Sequence, residues 1–138
     1  MPGTGLTYTG QPDGGALTIQ TLQEIIAAAT APLGPATGQT ALTALSGGGQ
    51  TGATQLQTGL NQIATVAAGN DSCILPASIP GNIVVVSNKA AANASNIYAQ
   101  GTDTINAIAA SSPFSLAANK VAIFFCFVAG TWNSILTA

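Results

Sequence analysis

Two rhythms of apolar residues divide this 138-residue chain. Over residues 18–30 the spacing is helical. Leu22, Ile25, Ile26 and Ala29 fall on one stripe at i, i+3, i+4 and i+7, and Thr21 and Glu24 have the spacing of a capping box. The stretch Ala31-Pro32-Leu33-Gly34-Pro35 ends the helix. About three turns of helix are marginal alone in water, so its apolar stripe needs a neighbour, in its own body or in another subunit. Residues 1–16, broken by Gly3, Gly5, Gly10, Pro2 and Pro12, read as an extended arm with Tyr8 as its large anchor. Residues 31–53, rich in Gly, Thr, Ala and Ser, read as a flexible linker centred on Ser46-Gly47-Gly48-Gly49, with a short helical turn at Leu42 and Leu45.

From about residue 54 the pattern becomes that of short strands. Leu56, then Ile63 with Val66, mark the first two. Ser72–Leu75 is stopped by Pro76, and Ile83–Ser87 is launched from the Pro80-Gly81-Asn82 turn. Ile97-Tyr98-Ala99, Thr104–Ile108 and Phe114–Leu116 follow, and Lys120–Val128 with Trp132–Leu136 forms a hairpin around Ala129-Gly130. Strands at roughly 10-residue spacing with turn signals between them predict a mainly β fold, a small sandwich or barrel of jelly-roll-like form. The expected division is therefore 1–53, arm, short helix and linker, and 54–138, an oligomerising β body.

The strand at 121–128 is apolar on both faces. Val121, Ile123, Phe125 and Phe127 point one way, and Ala122, Phe124, Cys126 and Val128 the other. Both faces therefore need cover, either because the strand is central in its own domain or because another subunit lies on it.

Composition sharpens this expectation. Charged side chains make up 4% of the sequence, with no His and a net charge of −2, against about 25% in an average soluble domain. A surface so poor in charge is suited to being covered by other protein. Two lysines supply no basic stripe, so nucleic acid is not an expected partner. The longest apolar run, Val121–Ala129, is far short of the roughly 20 residues of a spanning helix, so no membrane partner is expected. Met1-Pro2-Gly3-Thr4-Gly5 lacks a basic n-region before an apolar one, and no secretory route is expected.

Candidate chemistry is sparse. Without His there is no Ser-His-Asp or Cys-His arrangement, and two cysteines fall short of the usual zinc sites. Cys73 and Cys126 read as buried small hydrophobes, a disulfide requiring the fold to bring their Cα atoms within about 7 Å. Asp71 and Asp103 form the formal carboxylate pair of the body. Asp103, in Gly101-Thr102-Asp103-Thr104-Ile105-Asn106, is a turn aspartate or part of a polar ring near an oligomer axis. Trp132 and Tyr98 are core residues or a contact surface for a partner or glycan. Neither catalysis nor a cofactor is expected.

Pro80-Gly81-Asn82-Ile83-Val84-Val85-Val86-Ser87-Asn88, Asn96-Ile97-Tyr98-Ala99, Gly101-Thr102-Asp103-Thr104-Ile105-Asn106, Phe114-Ser115-Leu116, Lys120-Val121-Ala122-Ile123-Phe124 and Gly130-Thr131-Trp132 occur in this order. Together they resemble a recurring C-terminal β domain of tailed-bacteriophage virion structural proteins, including capsid decoration (cement) proteins and head or tail fibres. The resemblance covers about residues 54–138. It implies a homotrimeric β body, a place on the virion surface after assembly in the host cytoplasm, and the major capsid protein as partner. On that expectation Tyr8, Leu22, Ile25, Ile26 and Leu33 contact the capsid, and Val121, Ile123, Phe125, Phe127 and Asp103 lie between subunits. Burying the apolar side chains of the helix at about 25 cal/mol per Å² gives a few kcal/mol per arm, multiplied by avidity across an oligomer. The alternative is a fibre or receptor-binding module that contacts the host surface through Trp132 or Tyr98.

Overall fold

The structure, a computed structural model, describes residues 38–138 and, before them, the short ladder of β1 (Leu6–Thr7) with β2 (Ala16–Leu17). The chain divides into two units, Met1–Pro35 and Ala36–Ala138. In the first, β1 and β2 pair antiparallel, with Leu6 opposite Leu17. The helix expected at 18–30, and with it Tyr8, Leu22, Ile25, Ile26 and Leu33, lies outside the described residues.

The second unit is built from β3 (Gln39–Thr43), β4 (Thr54–Gln55), β5 (Gly59–Thr65), β6 (Ser72–Ile74), β7 (Ile83–Asn88), β8 (Ser95–Tyr98), β9 (Thr104–Ile105), β10 (Phe114–Leu116), β11 (Val121–Val128) and β12 (Thr131–Leu136). It is mainly β, with no helix among the described residues. From β3 to β8 the chain alternates between two sheets. In one sheet β3 pairs parallel with β5, and β5 with β7. In the other β4 pairs parallel with β6, and β6 with β8. Each strand thus lies beside the strand of the same sheet one turn earlier, a parallel β-solenoid of roughly 20–25 residues per turn.

The coil then ends in antiparallel strands. β10 closes the second sheet against β8, and β11 lies against β7. The β11–β12 hairpin turns at Ala129-Gly130, and β9 runs parallel to β12 at the sheet edge. The sheet orders are β10-β8-β6-β4 and β3-β5-β7-β11-β12-β9. This corrects the expected jelly-roll-like sandwich or barrel. The strands sit close to where the sequence places them, but they pair mostly with the strand two before rather than with the next one. A parallel pair needs a crossover, and here each crossover is itself a strand of the opposite sheet.

The core lies between the two sheets. Val84, Val86, Ala122 and Phe124 face it from the six-stranded sheet, and Cys73, Leu75, Ile97 and Leu116 from the four-stranded one; all are 0% exposed. Phe114 meets Phe124 edge-on, with ring centroids 5.3 Å apart, a favoured geometry for two aromatic rings. Trp132 is 0% exposed, beside Ile105 and Cys126 in register. The expected boundary at 53/54 moves to 35/36, because β3 and the glycine turn after it belong to the coil. Gly47, Gly48 and Gly49 all have positive φ, so the described part of the stretch read as flexible linker, from residue 38 on, is structural. Leu42 stands in β3 and Leu45 bridges to Ser72, in place of a helical turn.

With so little charge, amide side chains hold the turns. Asn88, fully buried, donates from Nδ2 to the carbonyls of Asn93 (3.0 Å) and Leu116 (2.9 Å) and accepts from the Ala90 N–H (3.0 Å). Asn61 Oδ1 accepts from the Gln57 N–H (2.9 Å), and its Nδ2 donates to the Gln57 carbonyl (2.8 Å). Satisfying a buried amide in this way avoids the desolvation cost of an unpaired polar group.

Candidate functional site

Three features concentrate unusual chemistry: a buried carboxylate, two buried thiols and an open apolar sheet face.

Asp71, fully buried, sits where three turns of the coil meet. Its Oδ1 accepts from the Gly47 N–H (3.2 Å), and its Oδ2 from Ala67 (2.8 Å) and Ala68 (3.0 Å). Its own carbonyl accepts from the Asn96 N–H of the next turn (2.9 Å). These amides, that of Ala68 foremost, lower its pKa from the ordinary 3.8, with burial opposing. The carboxylate is therefore a tie between turns, with both oxygens engaged by backbone. A depressed folded-state pKa contributes stability that is fully present above the unfolded value and is lost as pH falls through the folded one. The denaturant midpoint of the wild-type protein should accordingly hold steady above about pH 5 and fall on acidification below about pH 4. In Asp71→Asn the midpoint should already be lower at neutral pH and change little over that range. Equal acid sensitivity in the two proteins would remove this role.

Cys73 and Cys126 are both free and buried, as small hydrophobes would be. Burial pushes the Cys73 thiol up to about 11, against a weak hydrogen bond from Ser95. Burial, and then the negative charge of Asp103, raise that of Cys126. Neither is an activated nucleophile.

The third feature is the outer surface of the six-stranded sheet. β11 is internal to this sheet, between β7 and β12, and its Ala122, Phe124 and Cys126 face is in the core. The other face carries Val121, Ile123 and Phe125, half-buried, and Phe127, 71% exposed. The four strand residues expected between subunits therefore share one open face. The register extends it into rows, because Leu60 lies beside Val85, Val85 beside Ile123, and Ile123 beside Ile135. Ile83 flanks Phe125, whose ring stacks on that of Phe127 with centroids 6.1 Å apart. Ile83, Phe125 and Phe127, with Gly81, Asn82 and Cys126, line a shallow groove of about 200 Å³. The register shift between Cys126 and Val128 is a bulge that leaves both Phe127 and Val128 in the open.

Asp103 is placed elsewhere, in the turn before β9, close to Gly130 of the hairpin turn. Trp132 and Tyr98 are core residues. The sequence reading missed Leu60, Ile83, Val85 and Ile135. The signal for them was present: Ile83 and Val85 alternate with the core residues Val84 and Val86, and Leu60 precedes the buried Asn61.

Comparison with protein-family models, curated proteins and solved structures returns no match.

Among the described residues no group of three or more His, Cys, Asp or Glu side chains is placed to hold a metal ion, and no helix is long and apolar enough to cross a membrane. Among the described residues, the exposed large hydrophobic side chains Leu60, Phe127 and Ile135 lie on the open face of the six-stranded sheet.

Proposed function

We propose that this chain is a capsid decoration protein of a tailed bacteriophage, bound as a homotrimer to the outer surface of the head, where it stabilises the shell. One observation carries the reading. The stretches that resemble phage virion proteins fall on the turn before β7 and on β7, β8, β9, β10, β11 and the start of β12, the last turn of the coil together with its antiparallel cap. The resemblance thus follows one contiguous folded piece rather than scattered fragments. In this role the coil is a rigid knob, the first unit and its apolar residues grip the major capsid protein, and bridging between capsid subunits opposes the outward pressure of packaged DNA. The function is mechanical and non-catalytic. The fibre alternative loses its proposed stacking rings, since Trp132 and Tyr98 are 0% and 8% exposed.

The test is co-sedimentation of purified protein with undecorated heads. The full chain should bind at a copy number matching the capsid lattice. Deleting residues 1–35 should leave a folded β body that no longer co-sediments, and normal decoration by this truncation would defeat the proposal. Deleting residues 1–50 removes β3 and the Gly47 bond to Asp71 as well, and should lower the melting temperature of the body itself.

A further inference from the structure

We infer that the outer face of β5, β7, β11 and β12 is a self-association interface, covered in solution by other copies of this chain.

The argument starts from size. Leu60, Phe127, Val128 and Ile135 are 48%, 71%, 66% and 60% exposed. At roughly 100 Å² each, and with smaller amounts from half-buried neighbours, the face presents on the order of 600–800 Å² of apolar surface. That is close to the about 800 Å² each partner brings to a standard interface, and more than the few hundred Å² a monomer ordinarily leaves open.

Chemistry then selects the occupant. The four strands carry no Asp, Glu, Lys or Arg. The face therefore offers nothing to attract an acidic or basic partner or a lipid headgroup, and it also carries no charge that would meet its own like on a second copy. Its polar members, Gln62 and Ser87 in the Val121 row and Asn133 opposite Phe125, carry both donors and acceptors. Such groups can satisfy copies of themselves, as an interface between identical surfaces requires. The geometry is suitable too, because two sheet faces pack about 10 Å apart with interdigitating side chains. The in-register row Leu60–Val85–Ile123–Ile135 supplies ridges for that packing.

The interface deepens the capsid reading, since it supplies the contact its homotrimer needs, but the tests separate them: a folded triple variant of undiminished mass would remove the interface alone. An oligomer that ignores heads would remove the capsid reading and leave the interface standing.

The experiment is the solution mass of the full chain by light scattering at micromolar concentration. The wild-type protein should run at a multiple of 13.5 kDa. The triple variant Leu60→Ser, Phe127→Ser, Ile135→Ser, altered only at open positions, should fall to the mass of one chain with an unchanged far-ultraviolet circular dichroism spectrum. Leu136→Ser, opposite the core residue Ala122 and so on the other side of the sheet, should keep the wild-type mass. Should the triple variant unfold, Asn133→Lys provides the reading. It places a charge on an exposed position of the face and should weaken association at least tenfold at low salt, with recovery at high salt. A wild-type protein of one-chain mass, its face open or meant for a different protein, would overturn the inference. So would a folded triple variant, or an Asn133→Lys variant, of undiminished mass.

Discussion

Trp132→Ala should bring the β body close to unfolding at room temperature. The side chain is fully buried at the end of β11's core-facing row, beside Cys126 and Ile105. Removing a buried ring of this size costs about 3–5 kcal/mol, a large share of the roughly 5–15 kcal/mol that holds a domain of this kind together. Trp132→Phe should cost much less, about 1–2 kcal/mol, because most of the volume remains. Its Nε1 has no hydrogen-bond partner in the protein, so no bond between protein groups is lost with it. Urea titration followed by circular dichroism would measure both variants. Trp132 is also the single tryptophan of the chain, so in the wild-type protein its fluorescence reports directly on this core. A Trp132→Ala midpoint equal to that of wild type would mean that the ring is not in the core.

Gly48→Ala is expected to be nearly as damaging, for a different reason. Gly48 has φ +73°, in the left-handed region, and an added Cβ would run into the carbonyl oxygen of Asn70. The conformation alone costs a non-glycine residue about 1–2 kcal/mol. The clash lies beside Asp71, so it also pushes against the Gly47 N–H that the carboxylate holds. A total of about 2–4 kcal/mol follows, within the range for a strained backbone site. Gly49→Ala separates the two causes: its φ is +95°, but nothing lies within 4 Å of the added carbon. It should show the conformational cost alone, visible as a smaller drop in melting temperature. Equal drops for the two variants would show that the close approach to Asn70 does not matter.

Much of the body was legible in the sequence because strand existence is a local matter. β-Branched runs bounded by Pro, Gly and Asn placed β6, β7, β8, β10, β11 and β12 within a residue or two. Strand pairing is not local. Short strands at regular spacing fit an antiparallel sandwich and a two-sheet coil equally well, and the discriminating fact is that Thr54 meets Cys73 and Cys73 meets Ile97. No repeated motif in the sequence advertises that offset. The glycine run was misread because flexibility and obligatory positive φ favour the same residue. Only the approach of Asn70 and the bond to Asp71 distinguish them, and both come from residues more than 20 positions away. The open apolar face was half visible. The alternation in β11 gave one strand of it, but its extension over Leu60, Val85 and Ile135 needed the cross-strand register.

A parallel coil has no inherent length. Each turn exposes a ladder of amides and carbonyls ready to receive another turn, from its own chain or from a neighbour. Among the described residues growth is blocked beyond β7 and disfavoured at β3. Beyond β7 the chain reverses direction, so the edge that would receive a fourth parallel turn is occupied by antiparallel β11. At the other end β3 pairs irregularly, with register shifts on both sides of Leu42 and a positive φ at Ala41, and a kinked edge is a poor template. The hairpin of β11 and β12 is thus a terminator as much as a structural element. A chain that lost it would expose the β7 edge, and with β3 a poor template at the other end that edge should pair with the same edge of a second chain rather than extend into a fibre.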